Sequence, residues 1–335
     1  MEWWFFLILF IASLLFLLAI GLPVAFTFML VNLIFVMIIM GAQAGPYQMI
    51  MNMFESLTIF TLAPVPLFIL LGEVLFHSGM ALRALDALSK LLGRIPGRLS
   101  ILANLGGTVF AALSGSPMAN TAMLGSLLTS EMEARGYSRL MSIGPIMAAG
   151  GIAMIIPPST LSVIYGTMAE ISIAKLLIAG VIPGLIMGAN YTIYIVGACL
   201  IKPELAPGYE FEKISLKERL YLFSRDVLPL SILMFLVLGL IFLGVATPSE
   251  AAAVGVLGAF VQSIFYRGLT WKMIINVTRA TTRITGMMFL ILAGSMIFSQ
   301  IMAFTGATAG LTALIVGWTL PTVLKVIAML LLVFL

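Results

Sequence analysis

The sequence contains one cysteine, one histidine and few charged residues of either sign. Of its 335 residues, 9% are Asp, Glu, Lys or Arg, whereas 62% are hydrophobic. A single cysteine, Cys199, excludes a disulfide within the chain and any metal site built from several cysteines. A soluble domain cannot bury this much apolar surface, so the composition predicts an all-α polytopic membrane protein.

Groups that hydrolases and ATP-driven pumps require are also missing. An intramembrane hydrolase needs a Ser–His, Ser–Lys or carboxylate dyad at membrane depth, and Ser114 and Ser116 have no basic partner within the apolar segments. The sequence has no glycine-rich loop ending in Lys-Ser/Thr, as a nucleotide-driven pump would need. We therefore expect no enzymatic activity and no cofactor. Membrane orientation explains the net charge of +4 better than a nucleic-acid partner does.

The apolar segments predict repeated crossings of a bilayer, each of which needs roughly 20 mostly apolar residues. Crossings or parts of crossings are predicted at Trp3–Ile20, Val24–Gly41, Pro64–Phe76, Met141–Met168, Lys175–Leu200, Val227–Leu243, Glu250–Tyr266 and Thr285–Phe304. Two more apolar segments, Ser100–Thr129 and Pro321–Leu335, do not fit simple crossings. The first crossing lacks a basic region and a small-residue cleavage site, which favours a transmembrane helix over a signal peptide.

Basic residues predict the orientation, because short cytoplasmic loops are enriched in Lys and Arg. Four clusters contain 15 of the 17 basic residues: Arg83, Lys90, Arg94 and Arg98; Arg135 and Arg139; Lys202, Lys213, Lys217, Arg219 and Arg225; Arg267, Lys272, Arg279 and Arg283. All four are cytoplasmic if the N-terminus is outside and Ser100–Thr129 enters and leaves the bilayer on one side. We therefore predict a multi-pass protein of the bacterial inner membrane with a periplasmic N-terminus.

A polar, helix-breaking stretch lies in the middle of Ser100–Thr129. The residues Leu113–Thr121 read LSGSPMANT, within a segment that is long enough for two half-length helices but not for two crossings. Irregular backbone at membrane depth is tolerated only where it is buried in protein or lines a wet cavity. The stretch therefore predicts the tip of a re-entrant helical hairpin that enters from the cytoplasm.

The next crossing contains a second break. Ala149-Gly150-Gly151 is followed by Pro157-Pro158-Ser159-Thr160, and two consecutive prolines end a helix. In broken membrane helices, freed carbonyl and hydroxyl oxygens suit Na⁺, and half-helix N-termini suit a carboxylate. The alternative is that the Ser, Gly and Thr residues only allow close helix packing. Packing alone needs neither a double proline nor a hairpin, so the two breaks favour a transport site.

Similar segments recur about 222 positions apart. Pro23 and Pro248 each follow an apolar run, and Phe68-Ile-Leu-Leu-Gly72 resembles Phe289-Leu-Ile-Leu-Ala-Gly294. With the predicted orientation, the first copy begins outside and the second inside. Copies of opposite topology are typical of secondary transporters, with the site at the repeat interface.

Several motifs together resemble one family, the large membrane subunit of tripartite ATP-independent periplasmic (TRAP) transporters. In chain order they are Ser114-Gly115-Ser116, Arg135-Gly136-Tyr137, Ala148–Gly151, Ile156–Ser159, Val163–Gly166, Ala169–Ile173, Ala179–Gly184 and Gly244–Gly255. The similarity runs from about residue 16 to the end of the sequence, and the last motif is specific.

The resemblance implies an elevator-type, inverted-repeat ion transporter fold with re-entrant hairpins. It implies Na⁺-coupled import of an organic acid such as sialic acid or a C4-dicarboxylate, with a small membrane subunit and a periplasmic substrate-binding protein as partners. The implied Na⁺ ligands are Ser114, Ser116, Asn120, Gly150, Pro157 and Ser159. The implied substrate contacts are Ser116, Asn120, Thr121, Pro158, Ser159 and Thr160.

The repeat offset predicts the organisation of the chain. We expect scaffold helices and an arm at 1–98, and a first transport part at 99–200 with a hairpin at 100–129 and a broken crossing at 141–168. A cytoplasmic linker at 201–225, a second scaffold part at 226–320 and the start of a second hairpin at 321–335 follow. The offset places the tip of that second hairpin beyond Leu335, so half of the two-part site is expected to be absent from this sequence.

Two alternatives remain open for the function. One is a Na⁺/carboxylate symporter that needs no binding protein, and the other is a structural membrane subunit that does not transport. Whether uptake requires a separate binding protein distinguishes the first alternative from the TRAP arrangement.

Overall fold

The computed structural model shows a helical protein. It describes residues 3–93, 95–114, 117–207, 215–317 and 321–334, and within these ranges all side chains except those of 111–114, 118, 119, 322 and 332–334. Regular structure in these ranges is helical throughout, as the composition predicts.

The helices follow the predicted crossings closely. They are α1 (Trp3–Ala19), α2 (Val24–Met40), α3 (Ala44–Leu57), α4 (Pro64–His77), α5 (Met80–Leu91), α6 (Arg98–Ser114), α7 (Pro117–Ala134), α8 (Arg139–Ile152), α9 (Thr160–Met168), α10 (Ile173–Ile201), α11 (Leu216–Leu222), α12 (Leu228–Phe242), α13 (Pro248–Phe265), α14 (Trp271–Phe304), α15 (Ala307–Val316) and α16 (Thr322–Phe334). A 3₁₀ turn precedes α4 (Phe60–Leu62), another follows α10 (Pro203–Leu205), and a π-helical turn joins α11 to α12 (Phe223–Val227).

Five helical segments in the described ranges are long and apolar enough to cross a membrane. They are Phe60–His77, Ile173–Ile201, Leu216–Phe242, Pro248–Phe265 and Trp271–Phe304. Three shorter apolar helices, α1, α2 and α15, have 10–17 residues. The protein is therefore a helical membrane protein.

One compact unit consists of Met1–Ile59 and Gly286–Leu335. Its apolar core contains Phe10, whose ring centroid lies 4.8 Å from that of Phe35 and 4.6 Å from that of Phe298. Asn32 is fully buried in α2 and donates from Nδ2 to the carbonyl oxygen of Gly294 at 2.7 Å. This unit thus joins α1 and α2 to the second half of α14 by aromatic packing and one buried hydrogen bond.

The other compact unit is Phe60–Thr285. In it, α4 packs against α13, and α6, α7 and α8 pack against one another. The first turn of α13 has a capping box: Thr247 Oγ1 accepts from the Glu250 backbone N–H, and the Glu250 carboxylate accepts from the Thr247 backbone N–H. Glu250 therefore has a structural role, as the acidic residue of a capping box.

Two predicted boundaries are wrong. The arms of the hairpin, α6 and α7, have 17 and 18 residues, so they extend beyond the predicted 100–129 and are longer than half-length helices. The good helix formers in Ser130-Glu-Met-Glu-Ala134 allow α7 to continue. The crossing predicted at Thr285–Phe304 is the second part of a longer helix, because the 34-residue α14 already begins at Trp271. That helix contains no proline, which is the residue that would end it.

Candidate functional site

The predicted hairpin and the helix that follows it approach each other at two glycines. A Cβ atom added to Gly107 of α6 would lie 2.4 Å from the Cβ of Ala149 in α8. A Cβ atom added to Gly150 of α8 would lie 2.1 Å from Oγ1 of Thr121 in α7. Contacts between real Cβ atoms and their neighbours are essentially never this short. Both positions therefore need glycine for α6, α7 and α8 to pack this closely.

Asn120 links the three helices at this approach. It lies in the first turn of α7, is 1% exposed, and donates from Nδ2 to the carbonyl oxygens of Gly107 (3.1 Å) and Ala149 (3.3 Å). Its Oδ1 atom is buried and has no hydrogen-bond partner among the described residues. A buried oxygen without a donor is costly, and native proteins retain such groups for a specific structural or functional reason. Asn120 thus has a buried amide oxygen that accepts no hydrogen bond from the described residues.

Thr121, the neighbour of Asn120, also faces α8. Its hydroxyl donates to the carbonyl oxygen of Pro117, one turn earlier in α7, at 2.9 Å. This bond holds the hydroxyl against Gly150. Asn120, Thr121 and Gly150, three of the predicted site residues, therefore meet at one place between α7 and α8.

The second predicted break separates α8 from α9 by the residues 153–159. The backbone N–H groups of Ile155 and Ile156 both donate to the carbonyl oxygen of Ile152, at 3.0 Å each. The Pro157–Pro158 peptide bond is cis, and both prolines are buried. The double proline therefore interrupts the helix where the sequence predicts it.

Ser159 ends this break and begins α9. Its hydroxyl donates to the carbonyl oxygen of Met154 at 2.7 Å and accepts from the backbone N–H of Ser162 at 3.2 Å, as an N-cap does. Ser159 and Thr160 are both fully buried. The Met154 carbonyl, which has lost its place in a regular helix, is satisfied by serine hydroxyls, including that of Ser162 at 3.2 Å.

Glycines of α10 make room for the break. A Cβ atom on Gly180 would lie 2.4 Å from the Ile155 carbonyl oxygen, and one on Gly184 would lie 2.3 Å from Cγ1 of Ile156. Irregular backbone in a membrane protein must be covered by protein or face water. Here α10 covers it.

The structure therefore places the predicted residues in two groups. Asn120, Thr121 and Gly150 form the first, and the second consists of Pro157, Pro158, Ser159 and Thr160 in the break, where the Ser159 hydroxyl bonds to Met154 and Ser162 of the same segment. Ser116 lies outside the described residues. Ser114 is the last residue of α6, and its side chain also lies outside the described part of the chain.

Asn104 is a second buried asparagine, three residues before Gly107 in α6, and the sequence prediction does not include it. It is fully buried in α6, and its Nδ2 donates to the Gly188 carbonyl and to Thr192 Oγ1 of α10, both at 2.9 Å. The amide of Asn104 stands out in the apolar run Ile101-Leu-Ala-Asn-Leu105. Because a polar side chain at membrane depth costs free energy, its presence there indicates a specific role. Gly107, two turns before the hairpin tip, carried no such signal.

Comparison with known proteins gives a consistent family. Residues 11–335 match the model of the family described as "Tripartite ATP-independent periplasmic transporter, DctM component". The C4-dicarboxylate TRAP transporter large permease protein DctM of Pseudomonas aeruginosa is 36% identical over 254 residues, which are 75% of this chain and 58% of that protein.

Two other relatives are named for different solutes. The sialic acid TRAP transporter large permease protein SiaM of Vibrio cholerae is 31% identical over 289 residues, covering 84% of this chain and 65% of that protein. The ectoine TRAP transporter large permease protein TeaC of Halomonas elongata is 30% identical over 296 residues, covering 88% and 68% respectively. The chain thus spans about three fifths to two thirds of the length of these relatives. With its helical spans, its broken helices and this match over nearly its whole length, the chain belongs to the family of DctM components, the large permease subunits of TRAP transporters.

Proposed function

We propose that this chain is the large permease of a secondary transporter that imports an organic carboxylate together with Na⁺. In this proposal the solute is delivered by a periplasmic substrate-binding protein, and a small membrane subunit completes the transporter. Family membership supports the transport class and the partners. The names of two relatives, for a C4-dicarboxylate and for sialic acid, support a carboxylate as the solute.

The observation that carries the Na⁺ proposal is the unpartnered, buried Oδ1 of Asn120. Its amide nitrogen is fixed by two carbonyl groups, so the side chain cannot turn its oxygen toward them without losing both bonds. Hard cations prefer oxygen ligands, and in transporters of this class broken helices supply them to Na⁺. The predicted ligands Ser114, Ser116, Gly150, Pro157 and Ser159 would complete the coordination from the hairpin tip and the break.

Substrate binding is proposed at the N-termini of α7 and α9, which follow the hairpin tip and the α8–α9 break. The positions are Ser116, Asn120, Thr121, Pro158, Ser159 and Thr160. The N-terminus of a helix carries a partial positive charge and free N–H groups, which favour a carboxylate. Such starts occur at Pro117 in α7 and at Thr160 in α9.

We also propose elevator-type alternating access on an inverted-repeat plan. The repeated sequences support it: Pro23 directly precedes α2 and Pro248 begins α13, 225 positions later. The similar Phe68–Gly72 and Phe289–Gly294 lie within α4 and α14. In the first copy, the helix preceding this motif is interrupted between α3 and α4, whereas α14 runs through without a break.

Uptake in proteoliposomes by a complete transporter, whose large subunit has both re-entrant hairpins, tests the proposed function. With the small subunit and the binding protein present, accumulation of a labelled carboxylate is expected only under an inward Na⁺ gradient, because the ion supplies the driving force. Uptake that is unchanged when K⁺ replaces Na⁺ contradicts the coupling. Na⁺-driven uptake without the binding protein supports the simpler symporter, and no uptake under any gradient supports a structural subunit.

The proposed orientation places the N-terminus in the periplasm and the basic clusters in the cytoplasm. We expect a cysteine introduced as Lys217→Cys to be labelled by an impermeant maleimide only from the cytoplasmic side, and one introduced as Lys175→Cys only from the periplasmic side. Lys175 lies in the first turn of α10 and Lys217 lies in α11, beyond the other end of α10, and both side chains are exposed. Cys199→Ala supplies the background, since the native thiol is 2% exposed. The reverse labelling pattern contradicts the orientation.

A further inference from the structure

A cavity of about 670 Å³ lies in the unit Phe60–Thr285, away from Asn120 and the α8–α9 break in sequence. Its lining residues are Arg83, Arg225, Pro229, Gln262, Phe265, Tyr266 and Arg267. They belong to α5, the turn before α12, the beginning of α12, and the end of α13 with the two residues that follow it. The cavity therefore lies beside the beginning of α12 and the end of α13, two helices that belong to candidate membrane spans.

Three arginines give the cavity a strong positive charge. They come from three separate basic clusters of the sequence, more than 40 residues apart. Arg225 has a carboxylate neighbour, Asp226, at 4.0 Å between Nε and Oδ1. In the part of the chain that the structure describes, Arg83 and Arg267 have no carboxylate within ion-pair distance. Three cations facing one anion leave a net charge of about +2 at the cavity.

Tyr266 holds two walls of the cavity together. Its hydroxyl donates to the Arg225 carbonyl oxygen, and the Arg83 guanidinium lies over its ring at 5.5 Å from the centroid. Partial burial, and secondarily the charge of Asp226, raise the pKa of the Tyr266 phenol. Tyr266 thus holds the Arg83 guanidinium and the Arg225 backbone at the cavity without a bound anion.

Arg267 occupies a backbone conformation that suits glycine. It follows the end of α13 with φ of 54°, the left-handed region in which glycine normally ends a helix. A residue with a Cβ atom is sterically disfavoured in this conformation. Arg267 thus occupies a position whose left-handed backbone conformation disfavours any residue other than glycine.

The cavity has room for a headgroup and an apolar edge for acyl chains. Its volume is large compared with the roughly 30 Å³ that one water molecule occupies in the liquid. Phe265 is 79% exposed and lines the cavity beside Pro229, and Ile264 next to it is 57% exposed. An anion that brings its own apolar tails fits this combination better than a free anion does.

From this geometry we propose that the cavity binds the phosphodiester headgroup of an anionic phospholipid, held by Arg83, Arg225 and Arg267, with the acyl chains against Phe265. Basic pockets between membrane helices bind anionic headgroups through charge-assisted hydrogen bonds from Arg. The site is independent of the proposed Na⁺ and carboxylate sites.

Native mass spectrometry of the purified 335-residue chain, titrated with phosphatidylglycerol, tests this site. Each of Arg83→Gln, Arg225→Gln and Arg267→Gln is expected to weaken binding about fivefold, and the triple variant about a hundredfold, from the typical contribution of one basic residue near an anionic lipid surface. Phosphatidylcholine binding is expected to be the same in all of them. The matched controls, Arg139→Gln and Arg279→Gln, remove exposed arginines outside the cavity and are expected to change binding less than twofold.

Two further measurements distinguish lipid binding from misfolding and from a site for free phosphate. Arg267→Gly relieves the backbone conformation, so it is expected to keep or raise the unfolding temperature without lipid while still weakening phosphatidylglycerol binding. This result excludes misfolding as the cause. Phosphatidylglycerol binding by the triple variant equal to that of the controls overturns the proposal. The proposal is also overturned if the arginine substitutions weaken the binding of inorganic phosphate but leave phosphatidylglycerol binding unchanged. The site would then be one for free phosphate.

Discussion

Replacing Gly150 by alanine is expected to lower the free energy of unfolding by about 1–3 kcal/mol, the usual cost of overfilling a packed interior. The new Cβ would lie 2.1 Å from Thr121 Oγ1, and that hydroxyl is held in place by its bond to the Pro117 carbonyl. The change therefore forces α8 away from α7. Denaturant unfolding in mixed micelles measures the loss.

A second substitution identifies the cause of this loss. In the Thr121→Ala background the nearest remaining atoms, the Pro117 oxygen and the Cβ of residue 121, lie at 3.5 Å, an ordinary contact distance. Gly150→Ala is therefore expected to cost little there, giving a coupling energy of about 1–3 kcal/mol between the two sites. Gly144→Ala in the same helix is the control, since nothing lies within 4 Å of its Cβ position. Equal effects of Gly150→Ala and Gly144→Ala would show that the close approach has been misjudged.

The helices and their breaks could be predicted because local chemistry determines them. Two adjacent prolines interrupt a helix in any environment, and α8 and α9 end and begin on either side of Pro157-Pro158. The capping box at Thr247 and Glu250 is equally local, since its groups lie within one turn. Helix ends in apolar runs were less predictable, because no residue in Thr270–Phe304 stops the helix.

Contacts across helices could not be predicted from one sequence. Gly107 and Ala149 are 42 positions apart, and nothing local to either indicates that they meet. The family resemblance implies Asn120 as a site residue, but its two carbonyl partners depend on how three helices pack. The convergence of Arg83, Arg225 and Arg267 on one cavity also depends on how distant helices pack. Charge patterning showed the clusters but not which members face one another.

Asn120→Ala is expected to have two separate effects, one on stability and one on ion binding. Loss of its two hydrogen bonds, at about 1 kcal/mol each, together with the space left behind, predicts a destabilisation of about 2–4 kcal/mol. Loss of the Oδ1 ligand predicts that Na⁺ no longer stabilises the chain. For the unsubstituted chain, Na⁺ at about ten times its dissociation constant should add about 1.4 kcal/mol relative to K⁺.

Asn104→Ala is the matched control, because the two asparagines are alike in burial and in hydrogen bonding but differ in the helices they join. Like Asn120, Asn104 is buried, donates two hydrogen bonds and has an Oδ1 without a partner among the described residues. Asn104 joins α6 to α10, whereas Asn120 joins α7 to α6 and α8. Both variants are expected to lose similar stability in K⁺. Only Asn120→Ala is expected to lose the additional stability in Na⁺, since only Asn120 lies at the start of the helix that follows the hairpin tip. If Asn104→Ala abolishes the Na⁺ effect and Asn120→Ala retains it, the ion binds between α6 and α10, and the proposed ligand set is wrong.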